Sequence, residues 1–305
     1  MSLPDLDPTR PLCVPAPAKI NLFLHIIGRR ADGYHLLQSV FQLVDWSDRL
    51  HFERRNDGRL VRHDLTEALP EDDLILRAAR ALQKAGGCPD GADISVDKQV
   101  PWGAGMGGGS SDAATTLLAL NRLWGLNLPR AKLLQIGLTL GADVPFFVGG
   151  RNAFVEGIGE RLTPARVPRQ WFAIVKPAAS IVTKELFSHP LLIRNSEPVI
   201  LSGSLDGELD AAVWSTGELH GDAFGRNDMQ PPAEDRCPDV AQAARWLESR
   251  FGNSRMTGSG SAVFARAGTG ETPVATFPAE ALPKGWVGRM CRGLEVHPLA
   301  EWATG

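Results

Sequence analysis

Between Ala16 and Ile27, apolar Ile20, Leu22, Leu24 and Ile26 alternate with Lys19, Asn21, Phe23 and His25. A period of two predicts a half-buried strand, and Lys19 and Asn21, two residues apart, share its other face. After a polar turn at 28–33, the runs 40–44 and 49–54 predict further strands. Helical spacing over 74–82 predicts a helix that stops at Gly86-Gly87. A short strand over 94–100 leads into a glycine-rich segment, followed by a helix over 113–124 and a second over 130–140 that ends at Gly141. Strands are expected at 152–156, 171–175 and 262–266, a helix at 240–251, and loop over 191–203. Strands and helices alternate irregularly, which predicts α+β rather than a doubly wound sheet. The Pro164 to Pro168 stretch suggests a division into lobes 1–165 and 166–305.

The 305 residues suffice for about two domains. A hydrophobic share of 43% and a charged share of 22% belong to a globular chain rather than a disordered or fibrous one. Net charge is 32 − 35 = −3, so no basic field points to nucleic acid. The four cysteines, at 13, 88, 237 and 291, form no C-x-x-C pair, which argues against zinc and for a reducing compartment. No run approaches a membrane span, and the first residues lack the pattern of a secretion signal. A cytosolic protein acting on a small molecule is expected.

The chemistry concentrates in Pro101-Trp102-Gly103-Ala104-Gly105-Met106-Gly107-Gly108-Gly109-Ser110-Ser111. Glycines let the backbone approach a ligand closely, and a helix beginning there offers unpaired N–H groups to an anion. That combination predicts a phosphate site, with the Ser110 and Ser111 hydroxyls available to phosphate or to Mg²⁺-bound water. A flexible connector with Ser110 as helix cap is the alternative. Gly103-x-Gly105-x-x-Gly108 fits the dinucleotide fingerprint, but no acid lies between Asp112 and Asp143 to hold a ribose. The same span has P-loop spacing, yet Gly109 stands where the lysine belongs. A cation must therefore come from elsewhere, and Lys19 is the candidate, unless its face is simply solvated. Asp143, just before Val144-Pro145-Phe146-Phe147, is either a turn residue or a working carboxylate. Gly258-Ser259-Gly260 is either a tight hairpin or a second wall of the phosphate pocket.

Three motifs in this order resemble the GHMP kinases: Pro17-Ala-Lys19-Ile-Asn21-Leu, Pro101 to Ser111, and the Gly-x-Gly turn within Met256 to Ser261. The likeness extends over about residues 14–299. It narrows, through Arg29 to His35, Gly141 to Phe147, Asn227 to Pro231 and Gly293 to Leu299, to a branch whose substrate joins cytidine diphosphate to methylerythritol. The resemblance implies an N-terminal lobe like ribosomal protein S5 domain 2 and a ferredoxin-like C-terminal lobe. It also implies ATP and Mg²⁺ as cofactors and phosphorylation of the substrate's 2-hydroxyl, on the non-mevalonate route to isoprenoid precursors. It implies a bacterial, cytoplasmic enzyme, monomer or homodimer, with no nucleic-acid or membrane partner. By the same resemblance Asp143 is the base and Lys19 its partner, and Asn21 positions substrate. Tyr34 and His35 recognise cytidine, with Phe187 on the other side of the base. No dedicated carboxylate for Mg²⁺ is evident, so ATP phosphates and water are expected to hold it. Another member of the family, acting on mevalonate, homoserine or a sugar, is the competing reading. A module that binds ATP without catalysis and a dinucleotide oxidoreductase are the others. Trp102 and Met106 depart from the smaller residue and the leucine usual in the second motif. Asp73 replaces an asparagine common near the nucleotide and is not counted in the site. Pro273, Pro278 and Pro283 are expected to shorten a helix that the resemblance places within 268–284.

Overall fold

The computed structural model describes residues 12–199, 209–210 and 225–304. Two long antiparallel strands, β1 (Leu12–Arg29) and β2 (His35–Arg55), form its axis. The two short strands predicted within 40–54 are thus one continuous strand. Along its other edge β2 pairs in turn with β5 (Ala153–Gly157), with Gly293–Leu294 of β11 (Val287–Leu294), and with β4 (Gly91–Asp97). β11 also pairs with β7 (Trp171–Lys176), which continues to β10 (Val263–Arg266). One sheet therefore runs through both halves of the chain. The Pro164 to Pro168 stretch is no bare linker, because β6 (Arg161–Arg166) pairs with β5 there.

The pairing of β1 with β2 shifts register between Pro17 and Lys19, between Asn21 and Leu24, and between Ile26 and Gly28. Such bulges re-aim side chains, and two of the three flank Lys19 and Asn21. The expected half-buried strand is in fact buried on both faces: Phe23 and Ile20 are fully enclosed, and Lys19, Asn21 and His25 are almost so. The cause is tertiary, since Ala16, Ile20 and Ile26 of this one strand enter three separate apolar clusters.

Helix α1 (Leu74–Gly86) buries Ile75, Ala78, Ala79 and Leu82, the i, i+3, i+4, i+7 stripe that predicted it. Asp73 caps its start by accepting a hydrogen bond from the Leu76 N–H, and left-handed Gly87 ends it. Helix α2 begins at Gly108 and runs to Leu123, five residues earlier than the apolar pattern predicted. It is buried nearly all round, which explains its run of small alanines. Helix α3 (Arg130–Leu140) matches its predicted span. The strand predicted over 94–100 instead ends at Asp97, because the Gln99 and Val100 N–H groups donate to the Asp48 carboxylate rather than to a ladder. Among the prolines of 268–284, only a single 3₁₀ turn, Ala279–Ala281, forms. The loop predicted over 191–203 is loop through Val199, and its remainder lies outside the described residues.

Candidate active site

The glycine loop closes against the C-terminal half of the chain. Ser261 and Ala262 donate backbone hydrogen bonds to the carbonyls of Gly103 and Ala104. Gly105 has φ +73°, and a Cβ on it would lie 2.4 Å from the Thr257 carbonyl oxygen. A Cβ on Gly258 would in turn lie 2.7 Å from the Gly105 carbonyl oxygen. Two bare backbones are thus required for this contact, and Gly258 and Ser259 stand beside Gly105 in one cavity wall. Gly260 completes the turn with an N–H bond to the Thr257 carbonyl. The Asn227 side chain donates to the Met256 and Gly258 carbonyls and fixes the turn from behind.

Helix α2 starts from left-handed Gly107, and Ser110 lies inside its first turn rather than capping it. A Cβ on Gly107 would meet the Phe147 ring at 3.1 Å and Lys19 Cγ at 3.3 Å, so this glycine makes the room through which Lys19 reaches the loop. The serines part company. Ser110 is half-buried at the helix start. Ser111 is fully buried, and its hydroxyl donates to the Pro17 carbonyl at 2.6 Å. Ser111 therefore braces α2 on β1 with its hydroxyl proton. Met106 is buried beneath the loop, and its carbonyl accepts from the Lys19 N–H.

Lys19 Nζ donates to Asn21 Oδ1 at 2.6 Å and to the Gly105 carbonyl at 3.2 Å. It lies 4.5 Å above the centre of the Phe41 ring and 3.8 Å from Asp143 Oδ2. An ammonium has three protons; two are committed, and the third is left for the side where Asp143 stands. Burial lowers the Lys19 pKa from its ordinary value, and Asp143 opposes that shift. Asn21 spends its amide on Lys19 and on Ser39 Oγ, so it lines the cavity while orienting the lysine.

Asp143 precedes a six-residue helix, α4 (Val144–Gly149), that the sequence pattern did not predict. Its side chain makes no capping bond to that helix, and it remains 32% exposed against 5% for Lys19. The carboxylate thus faces the cavity with its acceptor sites toward whatever enters. That cavity, about 200 Å³, is lined by Lys19, Asn21, Asp143, Gly105, Leu37 and Thr183, among others.

Leu37 and Thr183 set the direction in which the cavity extends. His35 lies two residues before Leu37 on β2, on the same face. Phe187 lies one turn beyond Thr183 on α5 (Thr183–Ser188). Their rings stack, with centres 4.9 Å apart and planes at 19°. Phe187 thus rests on the His35 ring. Burial, with Arg194 and Arg29 nearby, lowers the His35 pKa and keeps its imidazole neutral at pH 7. His35 Nε2 is buried without a hydrogen-bond partner among the described residues. Tyr34, held on its turn by the Tyr34 carbonyl accepting from the Arg30 N–H, is 60% exposed. Thr183 Oγ1 and Ser259 Oγ, 2.7 Å apart, tie α5 to the glycine turn.

One group was not foreseen. Lys98 borders the cavity along Pro101 to Gly109, but its ammonium is neutralised by the buried carboxylates of Asp48 and Asp112. Burial raises the Asp112 pKa well above the usual carboxylate range, with Asp48 adding to it and Lys98 opposing. Asp48 also accepts the Gln99 and Val100 N–H groups, so the cluster pins the approach to the glycine loop. Its members are far apart in the sequence, at 48, 98 and 112, and meet only in the fold. Asp73 pairs with Arg62 at 2.8 Å besides capping α1.

Residues 73–151 match the GHMP kinases N terminal domain, and residues 215–274 the GHMP kinases C terminal. The 4-diphosphocytidyl-2-C-methyl-D-erythritol kinase of Methylibium petroleiphilum is 64% identical over 291 residues, 95% of this chain and 97% of that one. The same-named protein of Variovorax paradoxus is 56% identical, covering 95% of this chain and 98% of that one. Among solved structures, a 4-(cytidine 5′-diphospho)-2C-methyl-D-erythritol kinase superposes with TM-score 0.75 at 33% identity, over 92% of this chain and 99% of that one. The mevalonate kinase of Methanococcus jannaschii superposes with TM-score 0.65 at 13% identity, covering 94% and 98%, a likeness of fold. No helix among the described residues is long and apolar enough to cross a membrane.

Proposed function

The chain belongs to the GHMP kinase family, and on that premise we propose that it transfers the γ-phosphoryl group of ATP to the 2-hydroxyl of 4-diphosphocytidyl-2-C-methyl-D-erythritol, giving the 2-phosphate and ADP on the non-mevalonate route to isoprenoid precursors. One observation carries the reading. The Lys19–Asp143 pair lies in a cavity walled by Gly105 and Gly258, and the elements that line it at Leu37 and Thr183 also carry the stacked His35 and Phe187 rings.

The roles follow from that placement. The loop N–H groups and the start of α2 bind the ATP phosphates. Asp143 takes the hydroxyl proton as the hydroxyl oxygen meets the γ-phosphorus. Lys19, oriented by Asn21, puts its third proton on the line between attacking oxygen and phosphoryl group, where charge moves during transfer. His35 and Phe187, with Tyr34 from the turn, hold the cytidine, and neutral His35 has Nε2 to spend on the base edge. Mg²⁺ is part of the proposal. Among the described residues no group of three or more His, Cys, Asp or Glu side chains is placed to hold a metal. Mg²⁺ commonly keeps several waters and is held largely by substrate phosphates. Ser110, half-buried at the start of α2, and Asp143, in the cavity, would be the side-chain oxygens available to hold it, and the ion would neutralise phosphate charge.

The direct test is ADP release from Mg-ATP with the cytidyl substrate, run beside mevalonate, homoserine and galactose. Turnover confined to the cytidyl substrate is expected. Turnover only with another alcohol would keep the phosphate loop and discard the roles of Tyr34, His35 and Phe187.

Tyr34→Ala tests the cytidine end separately. Stacking is worth on the order of 1–3 kcal/mol per base, so KM for the cytidyl substrate rises about 5- to 150-fold, with kcat and the KM for ATP little changed. The residue is largely exposed, so the fold is not at stake. An unchanged KM removes Tyr34 from the site.

A further inference from the structure

Beyond the end of α5 a single arginine holds three carbonyls. Arg194 donates to the Phe187 and His189 carbonyls, each at 3.0 Å, and to the Leu192 carbonyl at 3.1 Å. Helix α5 needs such support. It has six residues and no side-chain cap at its start, and a helix that short does not hold itself. The last carbonyls of a helix have no partner inside it, and Phe187 is the next-to-last residue of this one. The guanidinium fork therefore closes α5 at the residue whose ring stacks on His35. The loop that carries Arg194 is anchored in turn. The Ser196 N–H donates to the Ile26 carbonyl, the Ser196 hydroxyl donates to Asp228 Oδ2, and His189 Nε2 pairs with Asp235 at 3.2 Å.

The same side chain brings a charge to His35. Arg194 from this loop and Arg29 from β1 are the cations set beside the ring, and after burial they are what lowers its pKa. The other charges on the neighbouring elements come in both signs. On the turn before His35, Arg30 meets Asp32 at 2.7 Å, and on β5 Glu156 meets Arg161 at 3.3 Å. Helix α5 carries one of each, Lys184 and Glu185.

We propose, on the cytidine reading given above, that Arg194 is a positioning residue for the base: it fixes the Phe187 ring against His35 and sets a permanent positive charge beside that imidazole. Its role runs through Phe187 and His35, so kcat and the KM for ATP do not depend on it.

Arg194→Gln and Arg194→Lys separate the two parts. The His35 imidazole is titrated by NMR without substrate, its signal assigned by its loss in His35→Gln, and KM for the cytidyl substrate is measured where the ring is neutral. In Arg194→Gln the His35 titration moves to higher pH, because a ring relieved of a neighbouring cation accepts its proton more readily. The acid limb of kcat/KM for the cytidyl substrate moves the same way. KM rises about 5-fold or more, the low end for loss of one stacked base. Arg194→Lys keeps the charge and loses the fork, so the titration stays near wild type while KM rises. A His35 titration in Arg194→Gln that coincides with wild type would overturn the proposal, since an arginine that only braced the loop would leave it unmoved. An unchanged KM in both variants would overturn it as well. Wild-type protein that does not accept the cytidyl substrate, with His35 still responding to Arg194→Gln, would overturn the cytidine reading itself and leave Arg194 no base to position.

Discussion

Asp143→Asn lowers kcat by about 10²- to 10⁴-fold, the usual contribution of a positioned general base, while both substrates still bind. The substitution keeps the shape of the side chain and the start of α4, to which Asp143 contributes no capping bond, so a thermal melt should match wild type. What is lost is a proton acceptor and a negative charge 3.8 Å from Lys19. The second loss makes a separate mark. Burial already lowers the Lys19 pKa, and Asp143 is what opposes it. With the carboxylate gone, the lysine releases its proton at lower pH, and the alkaline limb of the residual kcat profile moves to lower pH. A small fall in kcat with an unmoved alkaline limb would show that Asp143 neither accepts the proton nor supports Lys19. A dissociative transition state asks little of a base. A loss near the lower end of the range, with the limb moved, would therefore assign Asp143 mainly to positioning and charge.

Much of this arrangement was legible in the order of residues, for reasons that differ from place to place. The stripe Ile75, Ala78, Ala79, Leu82 and the Gly86-Gly87 stop give α1 because local spacing and local capping suffice. The motifs around Lys19, Gly105 and Gly258 were readable as a set because each carries a backbone or charge requirement that few residue types meet. Two bulges that turn Lys19 and Asn21 toward the cavity were not readable, since register depends on the partner strand. Nor was the burial of β1 on both faces: alternation reports one buried face and is silent on what covers the other. Asp48 and Lys98 lie 50 residues apart and meet only in the fold. Their pairing draws the Gln99 and Val100 N–H groups away from β4 and ends that strand early. The bond from Ser111 to the Pro17 carbonyl was not readable either, because it joins the start of α2 to a strand 94 residues earlier in the chain. Phe187 on His35 is likewise a contact between distant elements that no local pattern reports.

Lys19→Met carries the second large effect, a fall in kcat of about 10²- to 10³-fold, the scale for removing one preorganised donor from developing charge. Methionine keeps an apolar stem beside Gly107 and removes the ammonium over Phe41, so the loss is mainly one of charge and protons. The expected pattern is a reduced kcat with the KM of the cytidyl substrate little altered, because the third ammonium proton is used fully only as the phosphoryl group moves. Lys19→Arg separates charge from placement. The guanidinium keeps the charge, but the passage between Phe147 and the loop is so close that even a methyl on Gly107 would sit 3.3 Å from Lys19 Cγ. A planar fork cannot occupy the position of a compact ammonium that is already bonded to Asn21 and the Gly105 carbonyl. Lys19→Arg is therefore expected to remain as impaired as Lys19→Met, and near-wild-type turnover would mean that a positive charge anywhere in the cavity suffices. Lys19 and Asp143 act on one proton and one phosphoryl group, so their effects should not add. The double variant Lys19→Met with Asp143→Asn should fall little below the weaker single variant. Full additivity would mean that each residue works on a different step.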